Sequence, residues 1–317
     1  MKLSVAMITY NHERFIAQAL ESVLAQRVNF EYEILIGEDC STDGTRAIIL
    51  EFQKRYPERI KVLPSERNIG AMRNFERTIT ACRGQYVAFL EGDDYWTSAA
   101  KLQRQVDFLD THIDRAICCH RVRFYREAGS ENLDVRFDVF PPRPAGPYTI
   151  EDLLKRNFVM TSSTVLRREL IGPLPKWFFK MKLCDWPLFA LVTGHRKIEL
   201  MDEIMGVYRI HPGSMWSSQP HATQLRECAR MLTALDKELG YRHTSAIRGT
   251  VASAYLDLAN AARFNGSRME TAKYLLHYAR NGGLQLPLNR FVAGLAGYTL
   301  VGPWYKIFSR AKKANPN

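Results

Sequence analysis

Along the N-terminal part of the chain, short apolar runs alternate with stretches whose apolar residues recur every three or four positions. Residues 3–8 (LSVAMI), 32–39 (YEILIGED), 60–64 (IKVLP) and 85–92 (QYVAFLEG) read as strands, and residues 12–26, 43–55 and 71–82 as the helices between them. Near-continuous apolar strands separated by amphipathic helices predict a parallel α/β sheet covered on both faces. Ligands of such sheets bind outside the carboxyl ends of the strands. The polar residues gather there: TYNHE follows the first strand, EDCSTDGT the second, SERNIG the third and EGDD the fourth.

Beyond residue 115 the pattern changes. AICCHRVRFY, SSTVLRR and EIMGVYRIH read as strands, DVFPPRPAGP (138–147) as a proline-rich loop, and TIEDLLKRN as a helix that Thr149 caps with Asp152 three residues on. From about Ser217 helical spacing takes over, in 220–239, 244–264, 268–280 and 287–309, with Gly240, Gly266 and Gly282-Gly283 at the breaks. The expected organisation is one α/β domain over residues 1–216 and a helical region over 217–317.

Composition narrows the function classes. The net charge of +11 asks for an anionic partner. The Lys and Arg residues are dispersed and resemble no nucleic-acid module, so nucleic acid is not the expected partner. The six cysteines form no CxxC pair, and Cys118 and Cys119 are adjacent, which suits neither a disulfide scaffold nor a zinc site. Together with the absence of a leader-like N-terminus this predicts a reducing, cytoplasmic setting. The most apolar stretch, 291–305, contains Pro303 and is shorter than the roughly 20 residues a membrane span needs. It is followed by the basic KIFSRAKK, which suits a segment lying on the inner face of an anionic membrane, a terminal helix packed on the domain, or an oligomer interface.

The densest candidate chemistry is FLEGDDYW (89–96). Asp93 and Asp94 at a strand end suit an oxygen-preferring cation, since Mg²⁺ or Mn²⁺ takes one or two protein carboxylates and fills its shell with phosphate and water. Asp39 ends another strand, where a carboxylate accepts hydrogen bonds from a base or a ribose. Asp43 suits the following helix cap, and Arg67 and Arg73 flank a glycine that allows close backbone approach.

Four ordered motifs, SVAMITYNHERFIAQALESVLAQ, EILIGEDCSTDGT, ERNIGAMRN and FLEGDDYW, together resemble the family 2 glycosyltransferases over roughly residues 3 to 215. The resemblance implies the GT-A fold, a Rossmann-like mixed sheet flanked by helices. It also implies an inverting, divalent-metal-assisted transfer of a sugar from a nucleotide-sugar, most often a UDP-sugar, to an acceptor hydroxyl. By the same resemblance, Thr9, Tyr10 and Asn11, with Glu13 beside them, begin the nucleotide pocket. Asp39 reads the base, Arg67 is the nucleotide-side basic position, and Asp93 and Asp94 hold metal and ribose. Glu91 stands where the family's Asp-x-Asp motif has its first aspartate, which leaves the metal ligand open between Asp93 and Asp94, with Asp94 preferred.

An inverting transfer needs a base for the acceptor hydroxyl, and a carboxylate near apolar groups suits the role because burial raises its pKa. Asp185 in KLCDWPLFALV resembles the family's base position, with Cys184 replacing the usual glutamate. In YRIHPGSMW, Arg209 and His211 share one strand face and resemble the loop that closes over the pyrophosphate, with metal ligation the alternative for His211. Asn157, Thr161 and Ser162 are candidates for acceptor hydroxyls, and Trp177, Phe178 and Phe179 are assigned to the core. The family setting implies polysaccharide or glycoconjugate synthesis in the bacterial envelope, with a glycan or lipid-linked acceptor. The competing readings are an inactive nucleotide-binding scaffold and another nucleotide-sugar enzyme on the same fold.

Overall fold

The computed structural model describes residues 1–130, 138–282 and 299. Three βα repeats and a fourth strand open the chain: β1 (Leu3–Thr9), α1 (Ile16–Leu24), β2 (Tyr32–Glu38), α2 (Thr45–Arg55), β3 (Ile60–Pro64), α3 (Ala71–Ala81) and β4 (Tyr86–Phe89). There follow β5 (Tyr95–Trp96), α4 (Lys101–Thr111), β6 (Arg115–Arg126), β7 (Val139–Phe140), β8 (Gly146–Tyr148), α5 (Ile150–Lys155), β9 (Val165–Arg167), α6 (Asp185–Thr193) and β10 (Lys197–Ile210). All these strands join one sheet, whose main path runs β3-β2-β1-β4-β9-β6-β10-β5.

The first four strands pair in parallel, as the repeating pattern predicts. The rest of the sheet is mixed. β9 is antiparallel to both β4 and β6, β10 is parallel to β6, and β5 is antiparallel to β10. An all-parallel sheet therefore holds only for the first half, because the later connections are not the long helical crossovers that parallel pairing requires. The chain steps from β1 outward to β3 and then returns to β1's other side as β4, so a switch of direction lies between β1 and β4. That is where open α/β sheets bind ligands.

Local chemistry accounts for the elements. In α1 the residues Ile16, Ala19, Leu20 and Val23 recur at helical spacing and are fully buried under β1 and β2. Each such Ile, Leu or Val contributes about 1.5–3 kcal/mol by leaving water. Every position of β2 is buried, as expected of a central strand covered on both faces. Thr149 accepts the Asp152 N–H at 3.4 Å while Asp152 Oδ2 accepts the Thr149 N–H at 2.9 Å, the capping box expected for α5. Helix α4 was not marked by the pattern, because its buried face mixes Leu102, Val106 and Leu109 with the polar Lys101 and Gln105.

All six cysteines are free thiols, and burial pushes Cys82 and Cys118 up to about 12, so neither is poised to react. Among the described residues no helix is long and apolar enough to cross a membrane. The apolar stretch 291–305, the basic segment after it and the expected helix 287–309 lie outside the described residues.

The chain divides into two compact units between Ser218 and Gln219. In the second, α7 (His221–Glu238), α8 (Thr244–Phe264) and α9 (Arg268–Arg280) enclose a small core of Leu258, Ala259, Ala262 and Tyr274. Ser267 caps α9 by accepting the Glu270 N–H at 3.4 Å.

Candidate active site

The parallel pairing of β1 and β4 continues past the end of β4: Leu90 N–H donates to Ala6 O at 3.2 Å and Gly92 N–H to Ile8 O at 3.1 Å. Glu91 to Asp94 therefore lie alongside Thr9 to His12. On the other side, β5 and β10 pair antiparallel with Tyr95 opposite Val207. Continuing that register sets Asp93 against Arg209. Three segments distant in sequence thus converge outside the carboxyl ends of β1 and β4.

Asp93 stands at the centre. Its Oδ2 lies 3.1 Å from His211 Nε2 and 3.7 Å from His12 Nε2. Ligand atoms of these three residues all fall within 4.8 Å of one another. Burial alone would raise the Asp93 pKa, but His12 and His211 outweigh it and hold the carboxyl below its ordinary value. His12 carries no role in the sequence analysis, although its position directly after TYN at a strand end is a legible signal.

Asp94 is arranged differently. Its Oδ1 accepts the Arg209 main-chain N–H at 2.9 Å, and its Oδ2 is buried with no partner. Burial, then Asp93 and Glu91, raise its pKa well above the ordinary value. The sequence preference for Asp94 over Asp93 as the metal ligand meets a structure in which both histidines gather at Asp93. Glu91 also has a buried, unpartnered oxygen, and burial followed by the charges of Asp93 and Asp185 pushes it up to about 8. Three carboxyls therefore press on one another, with two orphaned acceptors among them. Buried acceptors without donors are costly.

Arg209 is 4% exposed and its guanidinium is taken up by protein groups. Nη1 donates to Asp93 O at 2.6 Å, Nη2 donates to Gln18 Oε1, and Nε lies 3.3 Å from Glu127 Oε1. It braces the backbone of the acidic turn rather than facing an open pocket.

Asp185 begins α6. Its Oδ1 accepts the Trp186 N–H at 2.7 Å and its Oδ2 accepts from Thr161 Oγ1 at 3.4 Å. Burial raises its pKa, and the Trp186 amide only partly opposes this. The carboxylate is thus fixed in direction and made more basic. Trp186 itself is anchored by its Nε1–H, which donates to Leu153 O at 3.0 Å. Asn157 also hydrogen-bonds Asp185, and Ser162 is buried. Of the three aromatics assigned to the core, Phe178 is fully buried, whereas Trp177 and Phe179 are half-buried, with Arg73 over the Phe179 ring at 5.6 Å.

The first two strand-end loops lock together. Asn11, at φ 56°, accepts the Thr42 N–H through Oδ1 at 2.8 Å, and Glu13 Oε2 accepts the Gly44 N–H at 3.0 Å. Asp43 accepts the amides of Thr45 at 3.0 Å and Glu13 at 3.1 Å. Asp39 is buried and accepts the Ile69 and Gly70 amides at 2.8 and 3.0 Å. Gly70 adopts φ 86°, a conformation that side chains disfavour, so glycine there lets the loop wrap onto Asp39. Thr9 is buried, Tyr10 is 40% exposed, and the exposed Arg67 lines an open cleft of about 560 Å³ with Pro64, Ser65, Glu66 and Ile69. Asn11 and Glu13 thus act on the loop itself, whereas Tyr10 and Arg67 present free surface.

Residues 4–172 match the family described as Glycosyl transferase family 2. An uncharacterized protein of Mycobacterium tuberculosis is 35% identical over 262 residues, covering 79% of this chain and 73% of its own. The Bacillus subtilis protein TuaG, named for teichuronic acid biosynthesis as a glycosyltransferase, is 30% identical over 219 residues, covering 68% of this chain and 82% of its own. Among solved structures, S. aureus TarS in complex with UDP-GlcNAc superposes with a TM-score of 0.62 at 18% identity, covering 97% of this chain and 92% of that one, a likeness of fold. With its GT-A sheet and a strand-end acidic turn inside the matched region, the chain belongs to glycosyl transferase family 2 and is a glycosyltransferase.

Proposed function

We propose that this glycosyltransferase moves a sugar from a UDP-linked donor to an acceptor hydroxyl with inversion at the anomeric carbon. The observation that carries the reading is the pairing of functions around one strand-end acidic turn. The Asp93 cluster offers a cation site, and Asp185 offers a fixed, burial-activated carboxylate. Both press on Glu91, which places them in one electrostatic neighbourhood.

The residues fit a divalent cation: the Asp93 carboxylate and the His12 and His211 imidazoles converge, their ligand atoms within 4.8 Å of one another. Asp93 would hold the ion with His211, and Asp94, buried and bonded to the Arg209 amide, would support the acidic turn. When bound, such an ion neutralises charge developing on the departing diphosphate. Asp185 takes the proton from the acceptor hydroxyl at its carboxylate as that oxygen attacks. Thr161 and the Trp186 amide hold the carboxylate in direction, and Asn157, beside Asp185, would orient the acceptor, whereas the buried Ser162 hydroxyl would not reach it. Tyr10 offers an exposed ring to the base, Asp39 and the Asn11 and Glu13 bonds shape the pocket, and Arg67 faces the diphosphate. Arg209 positions the acidic turn.

TarS was solved with UDP-GlcNAc and TuaG is named for teichuronic acid synthesis, which supports a uridine donor and a cell-envelope polysaccharide acceptor. The excess of positive charge supports a lipid-linked or phosphate-bearing acceptor at an anionic membrane surface. We assign catalysis to the first unit and acceptor or membrane contact to the helical region.

Calorimetric titration with UDP, dTDP and GDP, each with and without Mn²⁺, tests the donor site. Metal-dependent binding of UDP alone is the expected result, and no binding of any of the three would overturn the reading. Proton NMR of the product from the matching UDP-sugar then reads the anomeric configuration.

A further inference from the structure

The cluster around Asp93 has three members, and the third comes from an unexpected place. His12 lies in the turn between β1 and α1, His211 just past the end of β10, and Asp93 between β4 and β5. His12 Nε2 is 3.7 Å and His211 Nε2 3.1 Å from the same carboxylate oxygen. Such separations suit donors that share one ion, since ligand bonds of about 2.0–2.2 Å place neighbouring donors roughly 3–4 Å apart. The side chains of His12, Asp93 and His211 are 16%, 18% and 7% exposed, so the donors are shielded without being sealed from solvent.

The surroundings hold His12 in this pose. Its Nδ1 lies 3.2 Å from Thr9 Oγ1, which is buried. Imidazole ligands characteristically use their second nitrogen in this way, fixing the ring and leaving Nε2 free to bind. Its main-chain N–H donates to Thr45 Oγ1 at 2.8 Å, fastening the turn. Gly92 makes the approach feasible: a Cβ there would sit 2.6 Å from Thr9 Oγ1 and 2.9 Å from His12 Nδ1. The ring is thus held between Thr9 at the end of β1 and the Gly92 backbone, while Thr45 fixes its main chain.

We propose that His12 is a third protein ligand of the cation, and that the His12–Asp93–His211 set makes this site selective for Mn²⁺ and other transition ions over Mg²⁺. Imidazole nitrogens favour transition ions, whereas Mg²⁺ prefers an all-oxygen shell. The inference rests on the cation site proposed above and goes beyond it in naming an additional ligand and the class of ion.

The test uses the full chain stripped of metal, with UDP present. Mn²⁺, Co²⁺ and Mg²⁺ are titrated calorimetrically into wild type, His12→Ala, His12→Gln and Asp93→Asn, and pulsed EPR of the Mn²⁺ complex counts coordinated imidazole nitrogens. Wild type is expected to bind Mn²⁺ at least about tenfold more tightly than Mg²⁺ and to show two imidazoles. His12→Ala and His12→Gln are expected to lose about 10–100-fold in Mn²⁺ affinity, keep their Mg²⁺ affinity and show one imidazole. The wild-type nitrogen count is independent of how well any variant folds. One imidazole in wild type, or equal Mn²⁺ affinity in wild type and both His12 variants, overturns the inference while leaving the Asp93 site standing. Mn²⁺ binding that survives Asp93→Asn, or no binding of any ion, overturns the cation site and the inference together.

Discussion

His211 Nε2 lies 3.1 Å from Asp93 Oδ2, although the two residues are 118 positions apart. The antiparallel pairing of β5 with β10 makes the contact, so the acidic turn and the YRIH strand end form one unit. Separate replacement of the two partners should therefore give the same phenotype. Asp93→Asn and His211→Ala are each expected to lower sugar transfer by about 10²-fold or more, through the lost stabilisation of leaving-group charge. Far-ultraviolet circular dichroism should be unchanged. Steady-state transfer rates at saturating donor check this, and a variant at wild-type rate would show that the contact is structural only.

Asp185 predicts a different kinetic signature. Asp185→Asn keeps the shape but removes the proton acceptor, so kcat should fall about 10²–10⁴-fold while UDP affinity stays near that of wild type. Burial raises the Asp185 pKa, so its basic form is lost as pH falls through a value above the ordinary aspartate range. The rate should accordingly decline on the acid side through that raised pKa. A pH–rate profile that is flat until the ordinary aspartate range would remove Asp185 from the role.

Gly92 links stability to the site. In Gly92→Ala the new methyl would meet Thr9 Cβ at 2.8 Å and His12 Nδ1 at 2.9 Å, and Thr9 is buried on β1 with little room to yield. Overpacking of this kind costs about 1–3 kcal/mol. Thermal melting should show the loss, and Mn²⁺ affinity should fall with it because His12 is displaced.

Acid should weaken the fold in two windows. Glu33 is fully buried, and although burial raises its pKa, Arg83, Lys61 and Ser4 together bring it down to about 2. The unfolded chain binds more protons between the ordinary glutamate pKa and that value. Stability from Glu33 is therefore complete above about pH 4.5 and lost as pH falls toward 2. His120 is buried, and burial and then Lys101 lower its pKa to about 3. Its contribution is complete above about pH 6.5 and lost as pH falls from there toward 3. With Arg83 and Lys61 largely exposed, solvent screening keeps the gain from the Glu33 network well below what the shift alone would give. Urea unfolding at pH 7 and pH 3.5 should show Glu33→Gln losing less on acidification than wild type. Equal losses would count against the network.

What the sequence determined by itself was local or periodic. Four apolar runs and the stripe Ile16, Ala19, Leu20, Val23 specify strands and a helix wherever they meet a core, because side-chain period follows from backbone geometry. The capping box at Thr149 was legible for the same reason, since its partners are three residues apart. The strand-end positions of Asp39, Asp93 and Asp94 were legible because a polar cluster after an apolar strand has few other places to lie. The tertiary structure decided what depends on register between distant strands. Asp93 and Asp94 are neighbours of the same type, and only the β5–β10 pairing turns one toward two imidazoles and ties the other to the Arg209 amide. Arg209 reads as a cation awaiting phosphate until the fold surrounds it with Gln18, Glu127 and the Asp93 carbonyl. The place of His12 belongs to the same class, as does the mixed half of the sheet, which the family resemblance implies but the periodicity does not show. Hydrogen-bond partners and burial are properties of assembled neighbours, and pairings that span a hundred residues leave no periodic trace in the chain.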